Sequence, residues 1–186
     1  MFIHFEGSVY KGDFKNGMKS GKGSYYEYNN YFYRGDWLEN NREGEGEEIW
    51  VDGTSFFGQL KKGKKEGRGY FSLPDGSSYE GYFQNDESHG WGRYVFEKDG
   101  LKYEGEWIHG NMEGLGVSKS LNGVTYCGEF KNNKREGLGI CTWPDGKTYV
   151  GQWHDDKIHG KGQVYSKEGG PKEKESDKGV IIRKTN

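Results

Sequence analysis

From Tyr10 onward, large apolar residues recur four positions apart with a glycine midway, and polar residues stand between them. The runs are Tyr10, Gly12 and Phe14; Tyr33, Gly35 and Trp37; Phe56, Gly58 and Leu60; Tyr79, Gly81 and Phe83; Tyr103, Gly105 and Trp107; Tyr126, Gly128 and Phe130; and Tyr149, Gly151 and Trp153. Alternation with period 2 predicts a strand with one aromatic face. A glycine between two aromatics lets rings from neighbouring strands lie across bare backbone. The central glycines are 23, 23, 23, 24, 23 and 23 residues apart, which makes seven units with one inserted residue between Phe96 and Lys102. A Gly-x-Gly follows in every unit, from Gly21/Gly23 to Gly160/Gly162, and predicts the return strand. Segments between the two, such as Lys131–Glu136, are polar and read as hairpin loops. Asp52-Gly53, Asp75-Gly76, Asp99-Gly100, Asn122-Gly123 and Asp145-Gly146 suit tight turns that need positive φ.

Each unit is thus a predicted β-hairpin, and a lone hairpin is marginal in water. Stability has to come from stacking each hairpin on the next, as in solenoids. The chain of 186 residues therefore reads as all-β, with 14 or 15 strands. Composition agrees: 33 glycines, 3 prolines, 16% aromatic residues and not one alanine. Those values exclude a helical globule. Glycine does not recur at every third residue, which excludes collagen. No apolar run approaches the roughly 18 residues of a membrane span, and the first residues lack the pattern of a signal peptide. Two cysteines give no disulfide framework, so the expected setting is intracellular and reducing. A net charge of −2 argues against nucleic acid as a partner.

The units, for example Tyr103-Glu104-Gly105-Glu106-Trp107 through Gly114-Leu115-Gly116, resemble MORN repeats (membrane occupation and recognition nexus). The resemblance covers Tyr10 to Tyr165, with a leading half-unit before it, and departs at Phe56 and Leu60 in the third unit and in the first unit's lack of a closing Asp-Gly. It implies an elongated, twisted, single-layer antiparallel sheet of stacked β-hairpins that serves as a scaffold, in some members as a homodimer. It also implies a cytoplasmic, cytoskeletal or ciliary setting, with phospholipid contact as a second role. On this reading residues 1–165 form the repeat array, with a half-unit at 1–9, and 166–186 form a charged tail. Val180-Ile181-Ile182 in that tail reads as a frayed end, a capping strand or a docking peptide. Open sheet ends recruit further strands, so self-association through the C-terminal edge is expected.

Nothing in the sequence assembles catalytic chemistry. His89 and His159 each precede a Gly-x-Gly three units apart, roughly 28 Å at two strands per unit, too far to share a metal. His109 and His154 fall on hairpin loops, His4 on the half-unit, and Asp155-Asp156 reads as a solvated loop pair. Cys127 and Cys141 belong to one hairpin and read as structural thiols. Gly146-Lys147-Thr148 lacks the leading glycine and helix of a phosphate-binding loop. No catalytic residue, metal ligand or cofactor is assigned.

Two surface features remain. Lys61, Lys62, Lys64 and Lys65 form a basic loop that suits either a solvated charge run or weak contact with anionic lipid headgroups. The residue inside Gly-x-Gly is charged in four units (Lys22, Glu45, Arg68, Lys161) but apolar in three (Trp91, Leu115, Leu138). Either the sheet curves and tucks these side chains in, or they form an exposed stripe. An exposed stripe, with Trp107 nearby, marks a groove for a helical or extended peptide of a partner protein. The function expected is a non-enzymatic scaffold or adaptor, with a membrane-tethering module as the alternative.

Overall fold

A computed structural model describes residues 2–3, 7–28, 30–166, 169–177 and 179–184. Met1, His4, Phe5 and Glu6 of the leading half-unit, and Lys167-Glu168 of the tail, lie outside the described residues. The described chain is all-β, without a helix. It divides into two compact units, Met1–Gly90 and Trp91–Asn186. The first unit holds β1 (Phe2–Ile3), β2 (Ser8–Lys15), β3 (Met18–Glu27), β4 (Tyr31–Leu38), β5 (Asn41–Trp50), β6 (Ser55–Lys61), β7 (Lys64–Ser72), β8 (Ser78–Gln84) and the first residues of β9 (Glu87–Phe96). The second holds the rest of β9, then β10 (Leu101–Ile108), β11 (Asn111–Lys119), β12 (Thr125–Lys131), β13 (Lys134–Thr142), β14 (Thr148–His154), β15 (Lys157–Ser166), β16 (Gly169–Asp177) and β17 (Val180–Lys184). Within each unit the strands pair antiparallel in chain order. The tail thus supplies β16 and β17, which carry the meander beyond the strands that the spacing predicts.

The hairpin loops are shorter than their polar stretches suggest. Lys131–Glu136 is not a six-residue loop: β12 runs to Lys131, β13 starts at Lys134, and only Asn132 and Asn133 turn. Both have positive φ, 48° and 67°. Glu39-Asn40, Asn85-Asp86 and Asp155-Asp156 turn in the same way. Two successive left-handed residues are the type I′ turn, whose twist matches that of the flanking strands. The Asp-Gly and Asn-Gly turns at the other end are wider. In them the Asp52, Asp75, Asn122 or Asp145 side chain accepts the backbone N–H two residues on, at 2.8 to 3.2 Å.

The core lies on the tyrosine face. Gly128 pairs with Gly139 across β12 and β13, and the Tyr126 ring lies over both. A Cβ on Gly139 would come within 2.3 to 2.5 Å of that ring. No side chain but hydrogen fits there, and this fixes the glycine pair in each repeat. The aromatic four residues on then meets the tyrosine edge-on: Tyr126–Phe130 at 5.1 Å and Tyr126–Trp153 at 5.2 Å between ring centres. The second contact reaches the next hairpin, and chains of such pairs (Tyr103–Phe130, Tyr10–Trp37) bind neighbouring units together.

Within the hairpins the ladder slips beside the glycine pair. Gly105 faces Gly116 but Glu106 faces Glu113, so Gly114 and Leu115 have no partner on β10. Side chains supply what the slip removes. The Glu106 carboxylate accepts the Leu115 N–H at 3.2 Å. Asp36, Gln59, Glu129 and Gln152 do the same in their own units. The tight turns are also stitched to one another. Asn133 N–H donates to the Met112 carbonyl, the Asn133 side chain accepts the Met112 N–H at 2.8 Å, and Glu113 accepts the Asn132 N–H at 2.8 Å.

Candidate protein-binding face

Since the core occupies one face of the strands, the residues of interest are those on the other. In the second unit three of the stripe residues emerge there. Trp91 is 52%, Leu115 58% and Leu138 62% exposed. Curvature does not tuck them in. Trp107, the fourth residue expected to bind a partner, is corrected: it is 4% exposed, and its indole N–H donates to the Gly92 carbonyl at 3.1 Å. It lies two residues from Gly105 in a strand, so period 2 puts it on the tyrosine face, among the core rings.

Register places further apolar groups beside Leu115 and Leu138. Val117 pairs with Cys127, Cys127 with Ile140, and Ile140 with Val150. All four are exposed. They make an unbroken apolar row across β11 to β14, bounded by Glu104 opposite Val117 and Gln163 opposite Val150. Three strand spacings of ~4.8 Å give it a length of about 14 Å. The signal was present in the sequence as apolar residues one position beyond the Gly-x-Gly and one after the repeat tyrosine. Only the pairing shows that they meet.

The first unit is an internal comparison. Its corresponding row is Lys11, Ser24, Arg34, Glu47, Phe57, Tyr70 and Glu80. Within it Arg34 pairs with Glu47 at 3.0 Å, and beside it Lys22 pairs with Asp36 at 2.6 Å. The same backbone thus carries a mixed row in one unit, with an ion pair beside the exposed Phe57 and Tyr70, and an unbroken apolar row in the other.

The four lysines expected at a lipid headgroup do not form one patch. Lys62 lies in a tight turn and Lys61 and Lys64 flank it, all exposed. Lys65 turns to the core face, with its side chain 15% exposed and its ammonium 5.3 to 5.4 Å from the ring centres of Trp50, Phe56 and Phe71. It belongs to a row with the repeat's own spacing. Lys19 stands over Tyr25 and Trp37, Arg42 over Tyr31 and Tyr33, and Arg135 over Trp153 at 4.5 Å. Cations over aromatic faces seal the core edge. The spacing of 23 residues made this row legible, but the lysine run around Lys65 hid its distinct role.

The remaining candidates are placed as follows. Cys127 is exposed on the apolar row, whereas Cys141 is buried opposite Tyr126 on the core face, and both thiols are free. Burial pushes the Cys141 thiol above its ordinary range. His154 and His159, assigned to separate features by sequence, have ring centres 5.6 Å apart because their turn has only two residues. His154 Nδ1 lies 3.0 Å from Glu136, whose carboxyl that hydrogen bond holds below the usual range. Asp155 and Asp156 are not merely solvated, since they pair with Lys134 at 2.9 Å and Arg135 at 3.1 Å. Among the described residues no three His, Cys, Asp or Glu side chains are placed to hold a metal ion.

A family model described as the MORN repeat matches residues 10–27, 33–55, 56–78, 79–100, 103–125, 126–148 and 149–170. The chain belongs to the MORN-repeat family. No curated protein matches the sequence of this MORN-repeat chain. Among solved structures it is similar to the TCP10 domain of Danio rerio CPAP, solved with a peptide of Danio rerio STIL. The two share 14% identity and a TM-score of 0.54, over 99% of this chain and 81% of that one. It is also similar to the SAS-4 (dCPAP) TCP domain of Drosophila melanogaster, solved with a proline-rich motif of Ana2 (dSTIL). That likeness has 10% identity and a TM-score of 0.52, over 84% of each chain. At these identities the MORN-repeat chain and the TCP domains share a fold.

Proposed function

We propose that this MORN-repeat protein is a non-enzymatic scaffold that holds an extended peptide of a protein partner on the Leu115, Leu138 and Ile140 face of its second unit. The setting proposed is a cytoplasmic, cytoskeletal or ciliary assembly. One observation carries the reading: the row Val117, Cys127, Ile140 and Val150 is apolar, exposed and continuous, where the first unit's row is interrupted by charged residues. Contiguous exposed apolar surface of this kind marks interaction sites. The two TCP domains of similar fold, each solved with a peptide, support an extended occupant.

Cys127 allows a direct test. Its thiol is exposed at the centre of the row while Cys141 is buried, so a maleimide photocrosslinker attaches selectively. Crosslinking in extract followed by mass spectrometry should return one partner segment joined at Cys127, and Ile140→Glu should abolish it without unfolding the chain. Crosslinks spread over unrelated proteins, or unaffected by Ile140→Glu, reject the reading.

A further inference from the structure

We infer that the occupant of this face is a basic segment, with lysine or arginine side chains interleaved with apolar ones; the inference rests on the function proposed above. The apolar row has a neighbour on its tight-turn side, formed by Glu106, Glu113, Glu129 and Glu136. Register sets these carboxylates directly opposite one another in pairs, Glu106 against Glu113 and Glu129 against Glu136. Glu129 also stands opposite Leu115, so anionic and apolar groups interleave on one surface. Like charges directly opposite in a sheet are unfavourable.

Several charges elsewhere on the molecule are neutralised within the chain. Lys22 answers Asp36, Arg34 answers Glu47, and Lys134 answers Asp155. Among the described residues no ion pair involves Glu104, Glu106, Glu113 or Glu129, and Glu136 has an ion pair with His154 alone. All four carboxylates of this neighbour accept backbone N–H groups: Glu106 from Leu115, Glu113 from Asn132, Glu129 from Leu138 and Glu136 from Asp155. Those bonds need an oxygen acceptor but not a negative charge. Gln59 and Gln152 fill the same position as Glu106 and Glu129 and accept the equivalent N–H groups at 3.2 and 3.1 Å. At the Glu106 and Glu129 positions the fold is therefore served by an amide, and the surplus negative charge beside the apolar row is left for a partner. Cations landing there relieve the Glu–Glu repulsion and steer association. Lys102 and Lys119 face each other at the far end of β10 and β11, so the acidic margin lies along one side of the row only and fixes which flank of the peptide is basic.

The test uses the full chain and three fluorescent peptides of repeating Lys-Val-Pro, Ser-Val-Pro or Glu-Val-Pro, in which proline keeps the probe extended and unable to pair with itself. Anisotropy at low salt should show the Lys probe binding about tenfold more tightly than the Ser probe, as expected for three exposed charge contacts. The Glu probe should not bind, and salt should erase the Lys advantage. The triple variant Glu106→Gln, Glu113→Gln, Glu129→Gln should fold normally by circular dichroism and bind the Lys and Ser probes alike. Ile140→Glu should lose the Ser probe. Equal Lys and Ser affinity in the unaltered chain overturns the basic partner but leaves the peptide-binding reading standing. Failure of all three probes, or a Lys probe indifferent to Ile140→Glu, overturns both. Binding to phosphatidylserine vesicles in place of the peptides also overturns both.

Discussion

The Tyr126 hydroxyl donates to the carbonyl of Glu129, three residues along the same strand, at 2.9 Å. The same bond recurs from Tyr10 to Asp13, Tyr33 to Asp36, Tyr79 to Tyr82, Tyr103 to Glu106 and Tyr149 to Gln152. It bends the ring down over the glycine pair and occupies a carbonyl beside the ladder slip, where the backbone partner is displaced.

The third repeat shows what the bond contributes, because Phe56 has no hydroxyl and still packs 1% exposed over Gly58 and Gly69. Tyr126→Phe should therefore fold and lose about 0.5–1.5 kcal/mol, the net value of one hydrogen bond. Gly128→Ala should cost more, at least about 2 kcal/mol, since its Cβ would stand 2.5 Å from the Gly139 Cα and 2.6 Å from the Leu138 carbonyl oxygen. Urea unfolding of both variants checks the order.

Burial pushes the phenols of Tyr10, Tyr31, Tyr33, Tyr79, Tyr103, Tyr126 and Tyr149 above their ordinary range. A group with a raised folded pKa contributes stability that is complete below its unfolded value, near pH ~10, and is lost as pH rises through the folded one. Stability should thus fall steeply on the alkaline side. Absorbance at the tyrosinate band should show these seven phenols ionising together with the loss of the β-sheet circular dichroism signal. Their ionisation within an intact sheet would contradict the packing described.

Lys65→Met should fold with a change within about 1 kcal/mol, because Met112 and Ile158 already fill the equivalent places in other repeats. Lys65→Glu should be clearly destabilised, with a carboxylate set against three ring faces. For the same reason, any weak binding to anionic vesicles should depend on Lys61, Lys62 and Lys64 and not on Lys65. Thermal unfolding and vesicle sedimentation separate the two roles.

Glu48 is 2% exposed and is held by Arg42, with Tyr31 donating to it at 2.5 Å. Arg42→Met removes the partner of a buried carboxylate and should cost about 3–5 kcal/mol. Adding Glu48→Leu should restore much of that loss, and a double-mutant cycle in urea measures the coupling. An Arg42→Met variant as stable as the unaltered chain would show that the pair is not coupled.

The 23-residue recurrence of tyrosine, glycine and aromatic determined the strands, the hairpins and the core face, because period 2 and the need for bare backbone under a ring act within a few residues. It also marked Leu115 and Leu138 as exceptions to a charged position. That Trp107 is core was legible too, since period 2 sets it on the tyrosine face. The sequence did not reveal that Lys65 points away from its lysine neighbours, that Glu48 is buried with Arg42, or that Val117, Cys127, Ile140 and Val150 line up. Those facts depend on which residues face each other across strands, and within a hairpin the slip beside the glycine pair displaces that pairing by two residues. Local periodicity carries no record of such a slip, so the composition of the exposed face was decided only when the hairpins were laid side by side.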